Sequence, residues 1–237
     1  NVTPEVDDIC EGSSTTLTAS SPGSGVGYIW DTGAGSASIT VSPLTTTTYS
    51  VTGTDAQGCS GTTTATVNVD PLPVANFSAD PLIGCDPTTV HFTDLSTGNI
   101  SIWDWEFGDG DISGLQHPSH TYTSGTYNVT LTVTTVAGCQ SSLTMSNYVT
   151  ISPNPVAAFT ANPAVVSQDE PTISFINQST QATLYNWSFG DNAGNDYAEN
   201  PIYTYSGSGS FVVTLWAEND AGCTDSASMT VNVKPTY

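Results

Sequence analysis

Basic side chains are almost missing from this sequence. Arginine does not occur, and lysine occurs once, at Lys234, against 22 acidic residues, for a formal net charge of -21. Nucleic-acid binding, docking on anionic membrane surfaces and Walker-type phosphate chemistry all need Lys or Arg, so each is excluded. Salt-bridge networks are excluded by the same count. Apolar runs are short as well, and none approaches the ~18 residues of a membrane-spanning helix, so no membrane insertion is expected. The opening segment NVTPEVDDIC has neither a basic nor an apolar leader region, which reads as a mature chain or an excerpt of one. Good helix formers such as Lys, Arg, Gln, Glu and Met are scarce.

What is present is a strand-forming mixture. Hydrophobic residues make up 37 % and aromatics 9 % of the chain, enough to build cores despite the charge. Only 10 % of residues are charged, so the polar surface falls to Thr, Ser, Asn and Gly. Thr with Val, Tyr, Phe and Trp favours strands, and the frequent Gly and Pro favour turns, so the expectation is an all-β protein.

The chain repeats itself. PVANFSADP (Pro73–Pro81), IWDWEFGDG (Ile102–Gly110), HPSHTY (His117–Tyr122) and YNVTLTV (Tyr127–Val133) recur as PVAAFTANP (Pro155–Pro163), YNWSFGDN (Tyr185–Asn192), NPIYTY (Asn200–Tyr205) and FVVTLWA (Phe211–Ala217). Each copy then reaches AGC, at Cys139 and Cys223. The first blocks start 82 residues apart, from Pro73 to Pro155. A more distant copy precedes them, with YIWDTG (Tyr28–Gly33) and YSVTGTDAQGC (Tyr49–Cys59). The exits VNVDPLP, VTISPNP and VNVKPTY also match, the last spanning Val231–Tyr237.

Within each copy, residues alternate with a period of two. Tyr127, Val129, Leu131 and Val133 face one way and Asn128, Thr130 and Thr132 the other, as in a half-buried antiparallel strand. Trp103, Trp105 and Phe107 share a face opposite Asp104 and Glu106, and Trp30, Trp105 and Trp187 are expected in cores. Short strands with a central Trp predict three tandem immunoglobulin-like β-sandwiches, at residues 1–70, 71–152 and 153–237. Proline-marked linkers favour an extended backbone, and domains of about 35–40 Å would make a semi-rigid rod of about 110 Å.

WEFGDG followed by HPSHTY and GTYNVTLTV resembles the polycystic-kidney-disease (PKD) domain over about Pro71–Ser152. The copy over Pro153–Tyr237 is similar, but has Asn192 for the last Gly of the first motif and Tyr203 for the usual His. The first copy resembles a related Ig-like module of Bacteroidetes-type surface proteins, which are similar to adhesins and gliding-motility proteins. The resemblance implies a non-enzymatic, extracellular spacer or interaction module on a bacterial cell surface. Its partners would be neighbouring domains or copies of the same protein in an array or filament, and surface glycans. A carbohydrate-binding accessory module of a secreted hydrolase is the alternative.

Five cysteines occur. Cys10 with Cys59, and Cys85 with Cys139, fit early-strand-to-late-strand bridges within the first two domains. Each closes a loop of roughly 50 residues, on the order of 4 kcal/mol in the chain-entropy model. Cys223 is then left over, because its partner position near Val165–Asp169 holds no Cys. It reads as a buried free thiol or an intermolecular disulfide. Two bridges favour an oxidising exterior.

Other constellations are weaker. No G-x-S-x-G elbow occurs, and the histidines fit roles in the fold, so no catalytic residues are assigned. Asp109 and Asp111 flank Gly110 and are the candidate calcium ligands, weighed against diffuse cation screening. No cofactor is required on this reading. Trp216 falls on the outward phase of its strand and is a candidate interaction residue. Ser226, in Asp225-Ser226-Ala227, resembles a short O-glycosylation motif. End-to-end assembly of such like-charged domains is expected to need salt or calcium.

Overall fold

A computed structural model of the chain describes residues 1–236; Tyr237, the end of the third exit segment, lies outside them. The described residues form strands and turns with no helix, as the composition predicts. Their contacts divide into two compact units. One comprises Asn1–Ser78, Thr93–Pro118 and Val129–Met145, and the other Ala79–Phe92, Ser119–Asn128 and the described residues from Ser146 onward.

The first unit holds the whole first repeat. A three-stranded sheet (Val2–Thr3, Thr15–Ala19, Ser38–Val41) faces a four-stranded one (Val6–Cys10, Ser60–Asp70, Thr47–Thr54, Gly27–Trp30). Leu17, Trp30, Val51, Ala65 and Val67 fill the space between the sheets. These are the apolar phases of alternating strands, as in Thr15–Ala19, where Leu17 and Ala19 are buried and Thr16 and Thr18 exposed. Trp30 satisfies its indole by donating from Nε1 to the Ser36 carbonyl at 2.9 Å. The same device recurs where strand Ile100–Glu106 pairs with Thr130–Thr135: Trp105 is buried and donates to the Leu115 carbonyl at 2.9 Å. Its ring meets Phe77 edge-on, with centroids 5.1 Å apart.

The second unit holds the whole third repeat. Strands Phe159–Asn162, Thr172–Asn177 and Ile202–Thr204 form one sheet. Val165–Ser167, Thr224–Lys234, Gly209–Glu218, Leu184–Ser188 and Asn195–Asp196 form the other. Phe175, Trp187, Phe189, Val213, Leu215 and Val231 are its core. Trp187 donates to the Ala198 carbonyl at 2.9 Å and meets Phe159 edge-on at 5.0 Å. All three tryptophans expected in cores are thus buried, at no more than 1 % exposure.

With almost no cations in the chain, hydroxyl pairs tie the outer sheet faces. Cross-strand pairs Thr48–Thr66 (3.1 Å) and Thr52–Thr62 (2.9 Å) lie in the first unit. Thr172–Thr204 (2.9 Å) and Thr214–Ser228 (2.9 Å) lie in the second. Directly opposed Thr/Ser pairs are a recognised source of sheet stability, at about 0.2–1 kcal/mol each.

Candidate functional site

The cysteines require a correction. Cys10 bonds Cys139 and Cys85 bonds Cys223, each with Cα atoms 5.6 Å apart, while Cys59 is free and exposed. Neither expected pairing forms, and Cys223 is bonded rather than left over. The reason lies in strand direction. Strand Val6–Cys10 runs parallel to Ser60–Asp70 with Cys10 opposite Asp70, whereas Cys59 directly precedes Ser60. The two cysteines of the first repeat therefore sit at opposite ends of an 11-residue strand, a separation of about 33 Å at ~3.3 Å per residue, far beyond disulfide reach. Each strand-end cysteine instead meets the Ala-Gly-Cys loop of the following repeat. Cys139 and Cys223 are both 1 % exposed in those junctions. The Asn219 amide donates to the Pro153 carbonyl at 2.9 Å beside the second one.

The F-G-D-G turn is built by backbone requirements. Gly108 and Gly110 hold φ of 89° and 103°, and the Asp109 carboxylate accepts the Asp111 N–H at 3.1 Å. Asp109 and Asp111 are both exposed. In the third repeat, Gly190 (φ 81°) and Asn192 (φ 62°) likewise hold positive φ, and Asn tolerates the left-handed region better than most residues. A Cβ on Gly190 would lie 2.5 Å from the Val212 carbonyl oxygen. Tyr203 stacks on Phe189 with centroids 3.8 Å apart and donates to Asp191 Oδ2 at 2.6 Å. Burial, reinforced by the Asp191 hydrogen bond and charge, pushes its phenol up to about 12.

His120 brings a ring nitrogen within 4.8 Å of carboxylate oxygens of Asp109 and Asp111, whereas His117 and His91 serve the fold. His117 Nδ1 accepts the Asp94 N–H at 3.1 Å, and His91 shares a 2.7 Å hydrogen bond with the Ser119 hydroxyl. Asp94 itself accepts from the Ser96 N–H, the Gln116 amide and the Trp103 indole at 2.7–3.0 Å. Burial opposes its ionisation, but these hydrogen bonds outweigh it and hold the carboxyl below its ordinary value.

Trp216 points outward, as its phase predicts, and is 43 % exposed. It sits between Asn186 and Ser226 in register, and Ser226 is exposed. Trp216 lines a cleft of about 480 Å³ with Leu184, Tyr185, Asn186, Tyr197 and Glu218. Tyr197 is 71 % exposed, and the buried Asn186 Oδ1 has no hydrogen-bond partner. The sequence reading missed Tyr197, because it lies in a loop outside any alternating strand. It missed Asn186 because alternation alone does not reveal an unsatisfied oxygen.

The fold and these turns define a tandem array of immunoglobulin-like β-sandwiches. Residues 68–151 and 152–234 each match the PKD domain, and the chain belongs to that family. Among solved structures, it is similar to the PKD1 domain of Vibrio anguillarum Epp, at 26 % identity and TM-score 0.30 over 35 % of this chain and 96 % of that one. The PKD1 domain of the Vibrio cholerae metalloprotease PrtV matches at 27 % identity and TM-score 0.31, over 34 % of this chain and 98 % of that one. The eight N-terminal Ig domains of Down Syndrome Cell Adhesion Molecule share the fold at TM-score 0.56 and 15 % identity, over 98 % of this chain and 36 % of that one. Among the described residues, no helix is long and apolar enough to cross a membrane.

Proposed function

We propose that this chain is a non-enzymatic structural repeat segment of a secreted bacterial surface protein or extracellular filament. It acts there as a semi-rigid spacer and protein–protein interaction module. The observation that carries this reading is the pair of disulfides that join each repeat to the next. A flexible string of domains has no use for such links, whereas a spacer that must hold its length does. Disulfides persist in oxidising compartments, which supports a place outside the cytoplasm. PKD-family membership points the same way. Small-angle scattering tests the reading: a maximum dimension near the ~110 Å expected from strand lengths supports it. A compact globule overturns it.

The Trp216 cleft favours a second reading, a saccharide-binding accessory module. Exposed Trp and Tyr rings are suited to stacking on sugar faces. This reading predicts saturable glycan binding that Trp216→Ala abolishes. Silence across a broad glycan array removes it.

A further inference from the structure

The loop that ends in Cys59 is built like those that end in Cys139 and Cys223. In each, the residue four places earlier (Asp55, Thr135, Asn219) donates its N–H to the cysteine carbonyl, at 3.0, 2.9 and 3.0 Å. Its own carbonyl accepts the N–H of Gly58, Gly138 or Gly222, at 3.0, 2.9 and 2.9 Å. Its side-chain oxygen accepts the cysteine N–H at 2.9, 3.1 and 3.0 Å. The three glycines hold φ of 85°, 88° and 79°. Two of these three cysteines are buried and bonded to a strand-end cysteine of the preceding repeat; Cys59 is exposed and free.

The strand-end position recurs with equal fidelity. Cys10, Cys85 and Ser167 each pair in parallel register with the last residue of the exit strand, Asp70, Ser152 and Lys234. The next residue in each case, Glu11, Asp86 or Gln168, donates its N–H to that residue's carbonyl, at 2.8, 3.0 and 2.9 Å. The third repeat thus has an exposed serine where the first two have a bonded cysteine.

We propose that Cys59 is the receiving half of a third junction disulfide, whose partner is the strand-end cysteine of a further PKD- or Ig-like repeat seated against the first. Cys59 borders an open cleft of about 480 Å³, lined also by Asn1, Ser20, Pro22, Tyr28 and Asp55. At the other two junctions the loop cysteine is bonded to the strand-end cysteine of the preceding repeat and is 1 % exposed. A second copy of this chain cannot supply a strand-end thiol, because Cys10 and Cys85 are already bonded and the third repeat carries Ser167; its one free thiol is again the loop residue Cys59. In the bond-forming step, two thiols lose two protons and two electrons to a small-molecule disulfide, which leaves as two thiols. The proposal rests on reading the chain as part of an array, but its test is chemical and independent of shape.

Ser167→Cys supplies the missing half within the chain. In a glutathione redox buffer, S167C is expected to form a ladder of covalent multimers on non-reducing gels, with a peptic peptide joining Cys59 to position 167. The wild type and the C59S/S167C double variant are expected to stay monomeric, with unchanged melting temperatures confirming the fold. In a second arm, residues 71–152 are duplicated ahead of Asn1, and Cys59 is expected to lose its reaction with maleimide. A Cys59 that stays maleimide-reactive in both arms, or multimers linked only between like positions, overturns the proposal. Such a failure would leave the scattering result untouched, so the two readings fall separately.

Discussion

Cys10 and Cys139 are 129 residues apart in the chain and 5.6 Å apart between Cα atoms. Their bond ties the exit of the first repeat to a loop of the second. Removing both sulfurs in C10S/C139S, so that no thiol is left behind, should destabilise the chain by about 2–4 kcal/mol. The entropic limit for so long a loop is about 5 kcal/mol, but the covalent linker at Asp70–Pro71 already restricts the ends. Guanidinium unfolding monitored by tryptophan fluorescence checks the value, and an unchanged midpoint would refute it.

Trp187 and Trp216 lie on adjacent strands of one sheet with opposite fates, one fully buried and one 43 % exposed. Trp187→Ala should cost about 3–5 kcal/mol through transfer and cavity terms. Trp216→Ala should cost less than about 1 kcal/mol, as for surface positions. Equal losses in thermal or chemical unfolding would contradict the assignment of core and cleft.

Gly190 combines a φ of 81° with a backbone oxygen 2.5 Å from any added Cβ. Gly190→Ala should therefore lose at least about 2 kcal/mol, from the left-handed conformation plus the clash. Asn192→Gly, two residues on, meets no such conflict and should stay within about 1 kcal/mol of the parent. Paired urea melts separate the two effects.

Stability should also fall at both extremes of pH. Asp94 has a folded value below its ordinary 3.8, so its contribution is present above that value and lost as pH falls through the folded one. Asp94→Asn should flatten the acid limb of a stability–pH curve.

Tyr203 behaves oppositely, raised from 10.0 to about 12. The folded state holds this proton more tightly, so the contribution is complete below pH 10 and is lost as pH rises towards about 12. Tyr203→Phe should remove that part of the alkaline decline, as read by circular dichroism.

The class of fold was legible because it depends on local alternation. Leu17, Trp105, Trp187, Val213 and Leu215 fall on the buried phase of strands that can be read residue by residue. The turn at Asp109 was legible for a similar reason: a short carboxylate beside two glycines caps its own backbone within two residues. Trp216 was correctly placed facing outward, but its companions Tyr197 and Asn186 reach the cleft through a loop and an unsatisfied atom that carry no periodic signal.

By itself, the sequence determined the strands, their buried faces and the repeat, because these follow from side-chain chemistry at a spacing of two. Only the tertiary structure decided which cysteines meet. Cys10 and Cys59 are close along the chain, yet strand Ser60–Asp70 holds them at opposite ends. Parallel pairing with an exit strand carries each strand-end cysteine to the next repeat, and that direction is a property of the sheet, not of any local segment.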